Sequence, residues 1–137
     1  MTERISAQDA LIWVMVCVAA ADGKMTDAEL HTIGEIVKTL PAFKGYDVNR
    51  LPDSARACGA MLHAPNGLEE VTKMIGAGLP PEAHDTAYAL ACELAAVDAK
   101  LELYEARLLQ IVRGGLKVDR LTAVAIERAV QARYRRI

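Results

Sequence analysis

Residues 10–21 read Ala-Leu-Ile-Trp-Val-Met-Val-Cys-Val-Ala-Ala-Ala, without one charged side chain. At helical pitch this run is apolar on every side, and such a helix is stable only at the centre of a fold, covered by other elements. It is shorter than the roughly 20 residues needed to cross a bilayer. Its place near the N-terminus and its Ala-Ala-Ala end imitate the core and cleavage site of a signal peptide. The flanks argue otherwise, since Glu3 and Asp9 lie beside it and Arg4 is the one nearby cation. A matching run at 86–97, Thr-Ala-Tyr-Ala-Leu-Ala-Cys-Glu-Leu-Ala-Ala-Val, stands in mid-chain, where no signal peptide belongs. The run is read as a structural element.

The two runs belong to a longer repeat. A shift of 76 residues lays Asp9 on Asp85, Asp22 on Asp98, Lys24 on Lys100, Met25 on Leu101, Glu29 on Glu105 and Ile33 on Leu109. Each unit, near 7–39 and 81–114, is an apolar helix, a tight acidic turn and an amphipathic helix. Breakers and caps place the elements around it. The first helix starts near Ser6 and stops at Asp22-Gly23, and Thr26-Asp-Ala-Glu29 opens a second that ends before Pro41. The stretch 41–50 has no clear period. Helices over about 53–63 and 67–77 follow, each behind a Pro or Pro-Asn-Gly breaker. Pro80-Pro81 starts a long helix to Val97, the next covers about 103–113, and the last about 119–134, with Leu121, Val124, Ala125 and Ala129 on one face. The fold class is all-α: a compact bundle of about seven helices with a two-fold pseudo-repeat, in one domain spanning 1–137.

Composition narrows the function classes. A net charge of −2 provides no field favouring nucleic acid or an anionic membrane. Cys17, Cys58 and Cys92 cannot all pair and have no C-x-x-C spacing, so they are read as reduced core residues of a reducing compartment. His31, His63 and His84 share no ligand spacing and are read as structural. Gly76-Ala-Gly78 is read as a helix ending, and Arg128, Arg133, Arg135 and Arg136 as a solvated basic terminus. Neither Ser6 nor Ser54 has the turn sequence of a nucleophile elbow, and the chain lacks a phosphate-binding glycine loop.

The acidic turns carry what chemistry the sequence offers. In the first copy a local role suffices: Glu29 can close a capping box with Thr26, worth about 1 kcal/mol, and Asp27 complements the helix dipole. In the second copy Glu102 replaces Thr26, Leu103 replaces Asp27 and Ala99 replaces Gly23, so the capping logic is lost. Asp98, Lys100 and Glu105 nevertheless keep their spacing. Carboxylates seven residues apart, one on a turn and one in the next helix's first turn, can converge as ligands of a hard divalent cation. The pattern is not an EF-hand, because Lys24 stands at the third position and the closing glutamate comes after seven residues. If the two turns face each other, Asp22, Glu29, Asp98 and Glu105 pool their charges and require either a cation (calcium, manganese or magnesium) or Lys24 and Lys100 to neutralise them. Lys24, Asp27, Glu93, Lys100 and Glu102 are the accessory candidates. Glu93, within the central apolar run, needs a partner, a cation or a seam open to water.

Ala-Ala-Ala-Asp-Gly-Lys-Met-Thr-Asp-Ala-Glu at 19–29, Glu-Leu-Ala-Ala-Val-Asp-Ala-Lys-Leu-Glu-Leu-Tyr-Glu at 93–105 and Leu-Leu-Gln-Ile-Val-Arg-Gly-Gly-Leu-Lys-Val-Asp at 108–119 resemble the TerB family of tellurite-resistance proteins. The resemblance covers most of the chain and is weakest over 41–66. It implies a cytoplasmic, non-enzymatic all-α protein of tellurite and general stress resistance. It also implies divalent metal on clustered acidic residues, here Asp22, Glu29, Asp98 and Glu105, and action through other proteins, among them a membrane-bound Ter-type partner. Neither nucleic acid nor membrane insertion is expected. The chain departs from the family's first-copy pattern at Ala99 and Leu103. The competing reading is a metal-independent helical adaptor whose acidic motifs form a carboxylate–lysine network. A hydrolase built on the carboxylates would need a nucleophile-orienting group or a histidine that the sequence does not place nearby.

Overall fold

The apolar run becomes the central helix. In a computed structural model, which describes residues 4–21, 25–97, 107–108, 110–112 and 115–137, α1 spans Ala7–Ala19 and every residue from Ala10 to Ala19 is buried. Ser6 caps it, its hydroxyl oxygen accepting the Asp9 N–H at 3.1 Å. The helix stops at Ala19, before Asp22-Gly23, although the N–H groups of Ala20 and Ala21 still bond back to Val16 and Val18.

Around α1 stand α2 (Asp27–Thr39), α3 (Leu51–His63), α4 (Gly67–Gly78) and α5 (His84–Val97), while α6 (Arg120–Arg133) lies against α5. Short 3-10 turns at Pro41–Phe43, Val48–Arg50 and Pro81–Ala83 fill the connections. Residues 107–108 and 110–112 are helical, at the place of the helix expected over 103–113, whose first part lies outside the described residues. No strand occurs among the described residues. The all-α fold is therefore as the periodicity predicts. The largest fully buried side chains, Ile12, Met15, Ile33, Ile75, Leu94 and Ile111, come from α1, α2, α4, α5 and the 107–112 segment, which share one core.

The repeat pairs α1 with α5, and these two helices pack on each other. They differ in what covers them. Position 17 of α1 is the buried Cys17, whereas the matching position 93 of α5 is a glutamate held by Arg133 of α6, with Nη2 to Oε1 at 3.0 Å. Likewise Ile12 is matched by Tyr88, whose hydroxyl donates to Glu127 Oε2 at 2.5 Å. α1 is enclosed by apolar faces, while α5 has a polar side turned toward α6.

One expectation needs correction. Leu121, Val124, Ala125 and Ala129 are all exposed, and Leu121 keeps 82% of its surface in water. The face of α6 packed on the core is Ala123, Ile126 and Val130, one step around the helix. Both stripes satisfy the 3.6 period, and alanines on each side leave little contrast between them. Gly76-Ala77-Gly78 does end a helix, as the last three residues of α4, and it has a packing role besides: a Cβ on Gly76 would come 2.6 Å from the Gly115 carbonyl oxygen, and a Cβ on Gly115 would come 2.4 Å from that of Thr72. This glycine pair lets the chain after the 107–112 segment press against the α4 backbone.

Candidate functional site

α2 places Glu29, Ile33 and Val37 on its inward face, at four-residue spacing, so the Glu29 carboxylate is carried into the core with 1% of its surface exposed. The capping box is present. Glu29 Oε1 accepts the Thr26 N–H and the Thr26 hydroxyl, both at 2.9 Å, and the Glu29 N–H donates to Thr26 Oγ1 at 3.1 Å. The interactions of Glu29 extend beyond this box. A carboxylate so withdrawn from water needs several such partners, since burial of an uncompensated charge costs several kcal/mol. Asp27, on the outer side of the same turn, is exposed.

The two halves of the repeat meet beside this carboxylate's turn. Arg107, two residues beyond Glu105, donates from Nη2 to the Ala21 carbonyl oxygen at 3.3 Å, and Ala21 immediately precedes Asp22. The end of α1 and the helix after the second acidic motif are thus tied together. Arg107 went unnoticed in the sequence. Its only signal there is its position just past Glu105, because nothing in the spacing says that the turns are adjacent.

Asp22, Lys24, Asp98, Lys100, Glu102 and Glu105 lie outside the described residues. Among the described residues no three His, Cys, Asp or Glu side chains gather as a metal-binding group. Glu93 is paired with Arg133, and its side chain is 13% exposed. The partner demanded of a buried glutamate is therefore a residue of the C-terminal helix, and Arg133 makes this pair while its own side chain stays 67% exposed. The neighbouring Tyr134 hydroxyl has its pKa raised, first by burial and then by the Glu93 charge.

The cysteines are free and buried. The Cys58 thiol is pushed up by its contact with Cys17 and by burial, and Cys92 is pushed up to about 12 by burial first. Thiols in such surroundings are poor nucleophiles at neutral pH. His31 and His63 are exposed, and His84 is buried with Nδ1 accepting the Lys117 N–H at 2.9 Å.

The family model for tellurite resistance protein TerB matches residues 8–128, from the second residue of α1 into the second half of α6. The chain belongs to the TerB family. No curated protein and no solved structure matches it. The TerB match includes both acidic motifs, the Arg107–Ala21 junction and the Gly76–Gly115 approach, and leaves out Arg133 and the residues after it. TerB membership supports a tellurite-resistance-like function. Among the described residues, no helix of this TerB chain is long and apolar enough to cross a membrane.

Proposed function

We propose that this TerB-family chain is a cytoplasmic, non-enzymatic stress-response protein of one domain, which binds a divalent cation through its two acidic turns and acts through protein partners. A membrane-bound Ter-type protein is among the partners the family suggests. Asp22, Glu29, Asp98 and Glu105 would hold the cation, their carboxylate oxygens suiting calcium, manganese or magnesium. The observation that carries the reading is the Arg107–Ala21 bond at 3.3 Å, because it ties the start of one acidic turn to the helix that follows the other. A buried carboxylate at Glu29 fits the same reading, since it is an oxygen donor already withdrawn from bulk water. Bound there, the cation would neutralise the converging carboxylates and rigidify the surface that the turns present.

A second reading is favoured by the capping box itself. One oxygen of Glu29 is engaged by Thr26, and Arg107 brings a positive charge to the same junction. A carboxylate network closed by Lys24, Lys100 and Arg107 would then hold the turns without metal, and the protein would be a metal-independent adaptor.

Titration of chelator-stripped protein with calcium, manganese and magnesium, followed by calorimetry and amide shifts, separates the two. The cation reading expects saturable changes confined to 22–29 and 98–105 that vanish in Asp22→Asn/Asp98→Asn. Absence of saturation at millimolar metal would sink it in favour of the adaptor.

A further inference from the structure

A concave site lies at the junction of the end of α4, the start of α5 and the segment 115–117. It is a cavity of about 520 Å³ bordered by Lys73, Gly76, Pro81, His84, Gly115 and Lys117. Its character is set by one buried ring. His84 keeps 5% of its surface, and its Nδ1 accepts the Lys117 N–H at 2.9 Å. A neutral imidazole that accepts at Nδ1 carries its proton on Nε2. That N–H has no partner among the described residues. No fully buried side-chain nitrogen or oxygen is left without a partner among them, so Nε2–H is not sealed in apolar packing, and the His84 ring forms part of the cavity wall.

The cavity therefore has an oriented, unused donor in its wall and two lysines, Lys73 and Lys117, among its lining residues. The carboxylates paired with Lys73 along α4 do not hold it firmly. Glu69 and Glu70 stand 3.6 and 3.9 Å from Lys73 Nζ, but all three side chains are more than half exposed. Such pairs are worth only about 0.2–1 kcal/mol, too little to hold Lys73 away from a competing anion. The helix ends do not decide the matter, because the negative end of α4 and the positive end of α5 border the same space and oppose each other. The side chains decide it. The Gly76–Gly115 approach fixes the 115–117 segment on α4, and with it the Lys117 N–H that orients the ring.

We infer that this cavity binds a phosphate-class oxyanion, with His84 Nε2–H as the buried donor and Lys73 and Lys117 as the charged residues of its lining. Charge-assisted bonds of this kind are about twice as strong as neutral ones. A space of about 520 Å³ exceeds a lone phosphate, which leaves room for a small group carried on it. Inorganic phosphate and phenyl phosphate distinguish the two sources: equal affinity assigns the site to the free ion, and tighter phenyl phosphate assigns it to an organic phosphate.

The test is a titration of the full chain with each compound at ionic strength held constant with sodium chloride, read at the Lys117 amide and the His84 ring nitrogens. The expected result is a saturable response, weakened roughly tenfold or more in Lys73→Gln/Lys117→Gln, a surface double variant. His84→Asn keeps an acceptor for the Lys117 N–H while removing the Nε2 donor, and is expected to lose affinity with the Lys117 amide still in place. If His84→Asn does not fold, the lysine variant decides. A response that does not saturate at tens of millimolar phosphate, or that is the same in the lysine variant, overturns the site.

Discussion

Asp9 does more in the structure than flank an apolar run. Its Oδ1 accepts the hydroxyls of Tyr46 and Ser54 at 3.1 and 3.0 Å, its Oδ2 accepts that of Ser6 at 3.1 Å, and Arg50 lies 3.6 Å away. Trp13 Nε1–H donates to the same Ser54 at 3.2 Å, and Gln8 donates to the carbonyls of Ala42 and Lys44. One turn of α1 therefore secures the aperiodic stretch 41–50 through side chains that have no sequence period. The Tyr46 pKa is pushed up to about 12 by burial first and by the Asp9 charge second. A raised folded-state value favours the protonated form, so its stabilising contribution is complete below the ordinary tyrosine value near 10 and is lost as pH rises through about 12. Melting temperature is expected to fall across that window and to fall less steeply in Tyr46→Phe. Tyr88, raised by burial and its bond to Glu127, keeps part of the slope in the variant.

At the scale of elements, α6 is the helix whose placement the sequence left undecided. Leu121 and Val124 made an apolar stripe with the right period, yet the packed side is Ala123, Ile126 and Val130. The choice between stripes is made by two polar anchors on α5. Tyr88 binds Glu127 and Glu93 binds Arg133, and both partners rotate the Ile126 side inward. Substitution tests the assignment directly. Leu121→Ala is expected to change stability by less than about 0.5 kcal/mol, as a surface position does. Ile126→Ala should cost about 1–2 kcal/mol through lost apolar burial. Urea unfolding of the two variants checks it, and the opposite ranking would restore the original face. The acidic turns show the same division. The Thr26–Glu29 capping box was readable as a short motif, because capping depends on residues three apart. The Arg107–Ala21 bond was not, because it joins positions 86 residues apart.

Over the whole molecule, α1 is the element on which the rest is assembled: α2, α3, α4 and α5 all contact it. Met15 is among its largest fully buried side chains. Met15→Ala is expected to cost about 2–5 kcal/mol, the transfer loss plus a cavity that surrounding helices cannot collapse, measured as a lower midpoint in urea at unchanged slope. That α1 is central, that the chain is all-helical, and where α2, α3 and α4 begin and end followed from residues close together along the chain. Apolar runs without a polar side, prolines and capping residues act within a turn or two, so their meaning survives without the tertiary structure. The fate of the repeated acidic turn was legible only in part. Its spacing named Asp22, Glu29, Asp98 and Glu105, and the fold then carried Glu29 into the core and drew Arg107 to the end of α1. Glu93 found Arg133, His84 found the Lys117 N–H, and Gly76 found Gly115 in the same way. Each of these is a charge, a hydrogen bond or a close backbone approach between distant positions. Apolar periodicity records only that a side chain faces inward, whereas which partner it meets is decided when the helices pack.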